Sequence, residues 1–320
     1  MSKISPGNYL ILGASGLLGS HALLALRDQP GLRVRAVGGS RLPRVVGANI
    51  EPLRVDLSDP VAVAPLFRDI DYVLVCAGVL STAPVLASDP FRSVLTTLRV
   101  SVNAIEAAWR VRARRCVLLS STCGYPESNE PLTEEQMFQG EPPAQWHALG
   151  GMTRYLENLC ISVSKRVKNP LAVTVLRPSL IYGEYDHFDD TAHFLPALIR
   201  RVVAREKPIE VWGDGSQQRD LVHAADVIRA GLMSLTHSDP LLTLNICAGT
   251  SHSVNDILAR LIDADGFADA TVKHRIDRPQ TATLRRFDGK KAELQLGFRP
   301  TIGLSEGIAR TLAWYRESQL

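Results

Sequence analysis

Between an apolar run, Tyr9–Gly13, and a stretch with helical apolar spacing, Leu17–Arg27, the chain reads Gly13-Ala-Ser-Gly16-Leu-Leu-Gly19. A strand that turns at once into a helix through a GxxGxxG loop has few folds open to it. The first glycine permits the tight turn, the second lets the backbone approach a ligand closely, and the third lets the helix pack against its strand. The N–H groups at the helix start lack internal partners and together carry about half a positive charge, so they favour an anion such as a pyrophosphate. The loop therefore predicts a βαβ unit that holds a dinucleotide, with Gly13, Ser15, Gly16, Leu17, Leu18 and Gly19 around its phosphates.

The following residues extend the same pattern. Short apolar runs at Val34–Val37, Leu53–Val55, Tyr72–Cys76, Cys116–Ser120 and Val173–Arg177 alternate with helical spacing over Val61–Phe67, Val94–Arg110 and Gly151–Val167. Asp59-Pro60 and Asp89-Pro90 supply helix starts. Runs this continuously apolar suit strands covered on both faces, so the fold class expected is α/β, a doubly wound parallel (Rossmann) sheet. After Arg177-Pro178 the pattern loosens into IYGEYDHFDDTAHF, then recovers helices at Leu195–Ala204, Ala225–Thr236, Val254–Ile262 and Leu304–Arg316. We read this as a smaller, discontinuous α/β substrate domain. The expected division is 1–178 plus 218–249 for the dinucleotide and 179–217 plus 250–320 for the substrate.

At 320 residues the chain suits one large domain or two interleaved ones. Its net charge is +3 with the basic residues scattered, which leaves no electrostatic footprint for nucleic acid. No apolar run reaches the roughly 18 residues of a membrane span, and MSKISPGNYLIL is not a secretory signal, so no membrane partner and a cytoplasmic address are expected. The cysteines, Cys76, Cys116, Cys123, Cys160 and Cys247, are odd in number and form no CxxC pair, which argues against a disulfide framework or a metal cage.

A fold of this kind that prefers NAD usually carries an acidic residue at the end of its second strand. Here that place reads Val37-Gly38-Gly39-Ser40-Arg41, followed by Arg44. With no carboxylate and a cation present, Ser40 and Arg41 are expected to meet a 2′-phosphate, and the cofactor expected is NADP(H). Asp56-Leu57, after the third strand, is placed either to meet the adenine edge or to cap the next helix.

The GxxGxxG loop, Cys76-Ala77-Gly78, SSTCGYP at 120–126 and RPSLIYG at 177–183 together resemble the extended short-chain dehydrogenase/reductase superfamily of nucleotide-sugar enzymes. STCGYP at 121–126, HFLPALIRR at 193–201 and VWGDGSQQRDLVH at 211–223 are similar to its GDP-L-fucose synthase branch, the 3,5-epimerase/4-reductases of a 4-keto-6-deoxymannose nucleotide. The resemblance implies a nucleotide-sugar substrate, with Ser121 at the sugar carbonyl and Cys123 and His193 as an epimerising acid/base pair. It further implies Ser179, Arg201, Trp212 and Arg219 at the substrate, the last three clamping its diphosphate. Pro178 and Ala77 would lie near the nicotinamide, and the long helices would pair in a homodimer. The chemistry is coherent, because a C4 ketone acidifies the C3 and C5 protons and a thiol and an imidazole can both be tuned toward neutral pH. Spacing alone leaves Cys123 equally a small core side chain, His193 a helix-start residue and Arg219 a surface arginine.

One departure stands out. The superfamily uses a tyrosine and a lysine four residues apart to move the proton that accompanies hydride transfer. Anchored on Glu157 and Leu159-Cys160, those positions hold Leu149 and Thr153. Tyr155 lies on another face of the helix, Lys165 and Lys168 lie turns too far along, and His147 is the nearest titratable alternative. Losing general acid/base help costs a factor of about 10² to 10⁴, so ordinary hydride transfer should be crippled while epimerisation of a ready-made ketone need not be. Two other readings remain: a catalytically silent NADP-binding scaffold, and an oxidoreductase in which the polar 184–193 stretch builds a different pocket.

Overall fold

The computed structural model describes residues 4–79, 89–277 and 285–319. The first strands in chain order are β1 (Gly7–Leu12), β2 (Leu32–Gly38), β3 (Ile50–Arg54), β4 (Tyr72–Val75), β5 (Arg115–Leu119) and β6 (Val173–Pro178). They are followed by β7 (Leu180–Tyr182), β8 (Ile209–Trp212), β9 (Gln218–His223), β10 (Leu241–Ile246), β11 (Ser251–Ser253) and β12 (Val272–Arg275). The α-helices are α1 (Leu17–Leu26), α2 (Pro60–Val63), α3 (Pro90–Arg110), α4 (His147–Lys165), α5 (Phe194–Val203), α6 (Ala224–Met233), α7 (Val254–Asp265), α8 (Lys290–Leu296) and α9 (Leu304–Ser318).

A seven-stranded parallel sheet runs in the order β3-β2-β1-β4-β5-β6-β10. This is the doubly wound order expected from the sequence. Because the winding reverses between β1 and β4, a crevice opens at the carboxyl ends of those strands. Successive side chains of β1 go to opposite faces. Tyr9 and Ile11 join Leu23 and Leu26 of α1 and Val227 and Ile228 of α6 on one side. Leu10 and Leu12 join Val100 and Ile105 of α3 and Leu156 and Cys160 of α4 on the other. Each aliphatic side chain so buried contributes about 1.5–3 kcal/mol, which is why both faces of the sheet are closed. A separate core, including Leu195, Ile199, Ile209, Val211, Ile257 and Ile308, holds α5, α7 and α9 beside two small sheets, β11-β9-β7 and β12-β8.

The helix starts read from Asp-Pro pairs are present. Asp59 accepts the Val61 N–H at 2.9 Å and Asp89 the Arg92 N–H at 3.0 Å. The expected helix over Val61–Phe67 is divided, α2 giving way to a 3₁₀ turn at Ala64–Phe67, because Pro65 has no N–H to continue the α pattern. Helix α4 starts at His147, four residues before the expected Gly151, and carries Gly150 inside it. A Cβ on Gly150 would sit 2.7 Å from the Cys123 carbonyl oxygen, so the glycine lets the helix lie against the Cys123 turn. Among the described residues no helix is long and apolar enough to cross a membrane.

Candidate active site

The cofactor loop sits at the crevice. Gly13 has φ +82°, and a Cβ there would lie 2.6 Å from the backbone of Ala77 at the end of β4. A Cβ on Gly19 would meet the Gly13 carbonyl oxygen at 2.2 Å, so this glycine sets the approach of α1 to β1. Gly16 differs: its Cβ would touch only that same oxygen, at 3.5 Å, and would otherwise face open space. Gly16 is also the N-cap of α1 and offers no side-chain cap, and the first turn has no acidic residue, so the N–H groups of Leu17 and Leu18 face the crevice electrostatically bare.

The adenosine side is equally open. Gly38 folds so tightly that a Cβ would lie 1.9 Å from the Arg41 carbonyl oxygen and 3.1 Å from the Ser15 hydroxyl. Ser40, Arg41 and Arg44 are exposed beyond it. Neither arginine forms an ion pair among the described residues. Asp56 accepts both the Ser58 hydroxyl at 2.7 Å and its N–H at 2.9 Å, and these bonds hold its carboxyl below the usual range. It thus closes a local turn ahead of α2, while Leu57 is buried and Pro178 ends β6 inside the fold. A cradle left by missing Cβ atoms, unpaired N–H groups and uncommitted guanidiniums all fit a dinucleotide phosphate.

Beside this crevice β5 ends in a 3₁₀ turn, Thr122–Gly124, capped by Ser121. The Ser121 hydroxyl accepts the Cys123 N–H at 3.1 Å, which leaves its own proton for the Cys123 sulfur. Arg154 of α4 donates to the Gly124 carbonyl at 2.8 Å, and Arg285 donates to the Thr122 carbonyl at 2.8 Å. Below the turn, Tyr125 donates to Asn245 of β10 at 2.6 Å and accepts from Arg177 at 2.8 Å. Arg177 is itself paired with Glu157 at 2.5 Å, and Ser120 donates to the same carboxylate at 2.5 Å. Both charges are buried, so removing either partner would cost about 3–5 kcal/mol. Burial pushes the Cys123 thiol up, while the Ser121 hydrogen bond and the Arg285 charge pull it back.

His193 is the N-cap residue of α5. Burial, and then His187, hold its imidazole below the ordinary value. His187 is lowered in turn by burial and by the charges of Arg41, with Asp189 opposing. No hydrogen bond joins Cys123 to His193 among the described residues, and each responds to different neighbours. The thiol thus lies in the turn that follows β5, and the imidazole at the start of a helix of the second core.

The remaining residues implied by resemblance are partly committed elsewhere. Ser179 donates its proton to Asp220 at 2.7 Å, so its hydroxyl has only lone pairs left to offer. Arg201 pairs with Glu206 at 3.2 Å and donates to the Glu210 carbonyl at 2.6 Å. Trp212 is 56% exposed at the end of β8, and Arg219 donates to the Gln218 carbonyl at 2.8 Å from a half-buried position. On α4, Leu149 and Thr153 are buried, and the Thr153 hydroxyl is spent on the Leu149 carbonyl at 2.9 Å. His147, whose side chain is 70% exposed and 3.7 Å from Glu141, lies in solvent rather than against Ser121's turn.

Sequence reading missed a buried cluster. His21 of α1, Glu184 after β7 and His223 at the end of β9 bring their ligand atoms within 4.8 Å of one another. Glu184 Oε2 lies 2.9 Å from His223 Nε2 and 3.6 Å from His21 Nε2, and its other oxygen accepts from Arg310 at 2.9 Å. The Ala225 N–H points to His223 Nδ1 at 3.2 Å, which puts the proton of a neutral ring on Nε2, beside Glu184 but not in a hydrogen bond with it. That tautomer offers no lone pair to a cation, and the cluster sets a carboxylate between the cofactor helix and the second core. Burial alone would raise the Glu184 carboxyl, but the adjoining His223 and His21 outweigh it and hold it at about 2. Burial, then the facing His223, lowers His21 to about 4. The signal available was a histidine inside an otherwise apolar helix, next to the cofactor glycines.

Known proteins agree with this architecture. Residues 9–247 match the NAD dependent epimerase/dehydratase family. GDP-L-fucose synthase from Escherichia coli (strain K12) is 25% identical over 284 residues, which cover 83% of this chain and 87% of that protein. The UDP-N-acetylglucosamine 4-epimerase of Methanobrevibacter ruminantium M1, solved with UDP-N-acetylmuramic acid, superimposes with a TM-score of 0.85 at 21% identity, covering 99% of this chain and 100% of that one. The UDP-glucuronic acid 4-epimerase of Bacillus cereus, solved with UDP-glucuronic acid and NAD, gives 0.83 at 22% identity, covering 97% and 99%. At those identities the two structures speak for the fold alone. With the family match spanning most of its length, on a seven-stranded sheet with a glycine cradle at the crevice, this chain belongs to the NAD dependent epimerase/dehydratase family.

Proposed function

We propose that this protein is an NADP(H)-binding, nucleotide-sugar-modifying enzyme that epimerises a 4-keto-6-deoxyhexose nucleotide. Residues 1–178 with 218–249 would hold the cofactor, and 179–217 with 250–320 the sugar nucleotide. Ser121 would turn its hydroxyl proton from the Cys123 sulfur to the C4 carbonyl and stabilise the enolate that forms when an adjacent C–H proton leaves. Cys123 and His193 would act as base and acid at the C3 and C5 centres: one takes the proton, the electron pair moves onto the carbonyl oxygen, and the other returns a proton to the opposite face. Arg201, Trp212 and Arg219 would hold the nucleotide diphosphate. NADP(H), when bound, would supply or accept a hydride at C4.

The observation that carries this reading is at the Tyr–Lys positions: Leu149 offers no proton and Thr153 has closed its hydroxyl onto the helix backbone, while the Ser121–Cys123 turn beside them stays anchored. Proton chemistry next to a ketone keeps its groups there, and hydride chemistry does not. Incubation with the keto-sugar nucleotide in deuterium oxide tests it. Label should enter C3 or C5 and should stop entering in Cys123→Ala and His193→Asn. No label in the unaltered protein would overturn the reading, and would favour a silent NADP-binding scaffold, which the loss at 149 and 153 also suits.

The association expected is a homodimer through α3 and α4. These helices lie against each other and leave Phe91, Leu95 and Tyr155 exposed. Light scattering should give a dimer that Tyr155→Glu weakens; a monomer at every concentration would refute it.

A further inference from the structure

We propose that Arg285 is the positioning residue that fits Cys123 to act as the base: its guanidinium lies over the Thr122–Tyr125 turn and supplies the counter-charge for a thiolate. This rests on the reading of Cys123 as part of the acid/base pair. Arg285 comes from the far end of the chain, yet one of its nitrogens donates to the Thr122 carbonyl at 2.8 Å and lies 3.5 Å from the Tyr125 carbonyl, on either side of Cys123. Its plane is backed by the Phe287 ring, 5.7 Å from the guanidinium carbon, which in turn packs on Tyr125. The cation is half-buried and forms no ion pair among the described residues, so its charge is left for the turn beneath it.

The groups facing the thiol are few. Ser121 caps the turn, Arg154 is spent on the Gly124 and Gly140 carbonyls, and Glu127 acts on Arg285 from the exposed side. Arg285 is thus the charged side chain that bears on Cys123 itself. The comparison within the molecule is direct. Cys116 is buried and Cys76 partly so, neither feels a cation among the described residues, and loss of solvent pushes both thiols up to about 12. Cys123, also partly enclosed, stays above the ordinary thiol value because of burial, with Ser121 and Arg285 working against that rise. When the thiolate takes the proton from carbon it becomes a neutral thiol and the negative charge moves to the enolate oxygen. A fixed cation therefore sets how much base is present before the step.

The test reads the thiol rather than turnover. In the full-length, NADP-loaded protein, the rate of iodoacetamide alkylation at Cys123 is followed against pH by peptide mass spectrometry. Arg285→Gln keeps a hydrogen-bond donor for Thr122 but loses the charge, and Arg285→Met serves as a second neutral variant, each first checked for a native Tm. An opposite charge at short range shifts a thiol by about one unit or more, so both neutral variants should alkylate about tenfold more slowly near neutral pH, with the same plateau at high pH. Arg285→Lys should restore most of the rate. An unchanged pH profile in the neutral variants, or an equal shift in Arg285→Lys, overturns the proposal. Failure of the parent reading looks different: Cys123→Ala would leave deuterium exchange intact whatever the alkylation profile shows.

Discussion

The three glycines of the cofactor loop should fail in three different ways when each is changed to alanine. At position 13, φ is +82° and the Cβ falls 2.6 Å from the Ala77 backbone. The left-handed conformation alone costs an alanine about 1–2 kcal/mol, and neither backbone has a side chain that can swing away. At position 19 helix propensity favours alanine by about 1 kcal/mol, but the Cβ lies 2.2 Å from a carbonyl oxygen, so α1 must move off β1. Overpacking of this kind costs about 1–3 kcal/mol, which leaves a net destabilisation of about 2 kcal/mol or less. At position 16 the nearest atom is 3.5 Å away, and only the weaker N-cap preference of alanine counts, about 1 kcal/mol or less. Yet that methyl occupies the place assigned to the pyrophosphate. Urea denaturation and calorimetric titration with NADPH separate the cases. Gly16→Ala should fold almost normally and bind NADPH more than tenfold more weakly, whereas Gly13→Ala should lose stability first. Wild-type NADPH affinity in Gly16→Ala would refute the placement of the phosphates.

Two further outcomes follow from the same geometry. Arg41→Ala removes one charge-assisted bond to a 2′-phosphate, so NADPH affinity should fall by about one to two orders of magnitude while NADH affinity stays level; an equal loss for both would show that Arg41 does not read the phosphate. His21 is held at about 4 in the fold, against about 6.5 in an unfolded chain, so acidification protonates the unfolded state first and stability is lost as pH falls through that window. That depression corresponds to about 3 kcal/mol, which His21→Asn should not lose; denaturation midpoints compared between neutral pH and about pH 4 check it, and parallel acid slopes in both proteins would contradict it.

Much of the fold was legible because local rules and the global architecture agree. The GxxGxxG loop, most of the apolar runs and the Asp-Pro caps need only neighbours in sequence and are where they were expected; the run at Leu53–Val55 differs, since β3 is an edge strand left largely exposed rather than covered on both faces. Strand β10 was not foreseen: its apolar run follows a helix of the main layer, and nothing local says that Leu241–Ile246 returns to the sheet edge beside β6. The start of α4 was misplaced for a related reason. Gly150-Gly151 looks like a helix boundary until the Cys123 carbonyl is seen packed against it. In the candidate site, the turn that carries Ser121 and Cys123 is local in sequence, but the approach of Arg285 is not, since its bond to Thr122 spans 163 residues and no spacing rule reaches so far. Glu184 read as one acid in a polar loop; only the tertiary fold sets it between two buried imidazoles. The commitments of Ser179 and Arg201 to protein partners were likewise invisible before Asp220 and Glu206 had positions.

The central claim is that acid/base exchange at carbon persists where the tyrosine and lysine for hydride transfer do not. A single sample of NADPH-loaded protein with the 4-keto-6-deoxyhexose nucleotide in deuterium oxide measures both reactions at once, label at C3 and C5 by proton NMR and NADPH by its absorbance. The account predicts that label enters at least about 10² times faster than NADPH is consumed. Equal rates of labelling and NADPH loss, or NADPH loss without label, would contradict it.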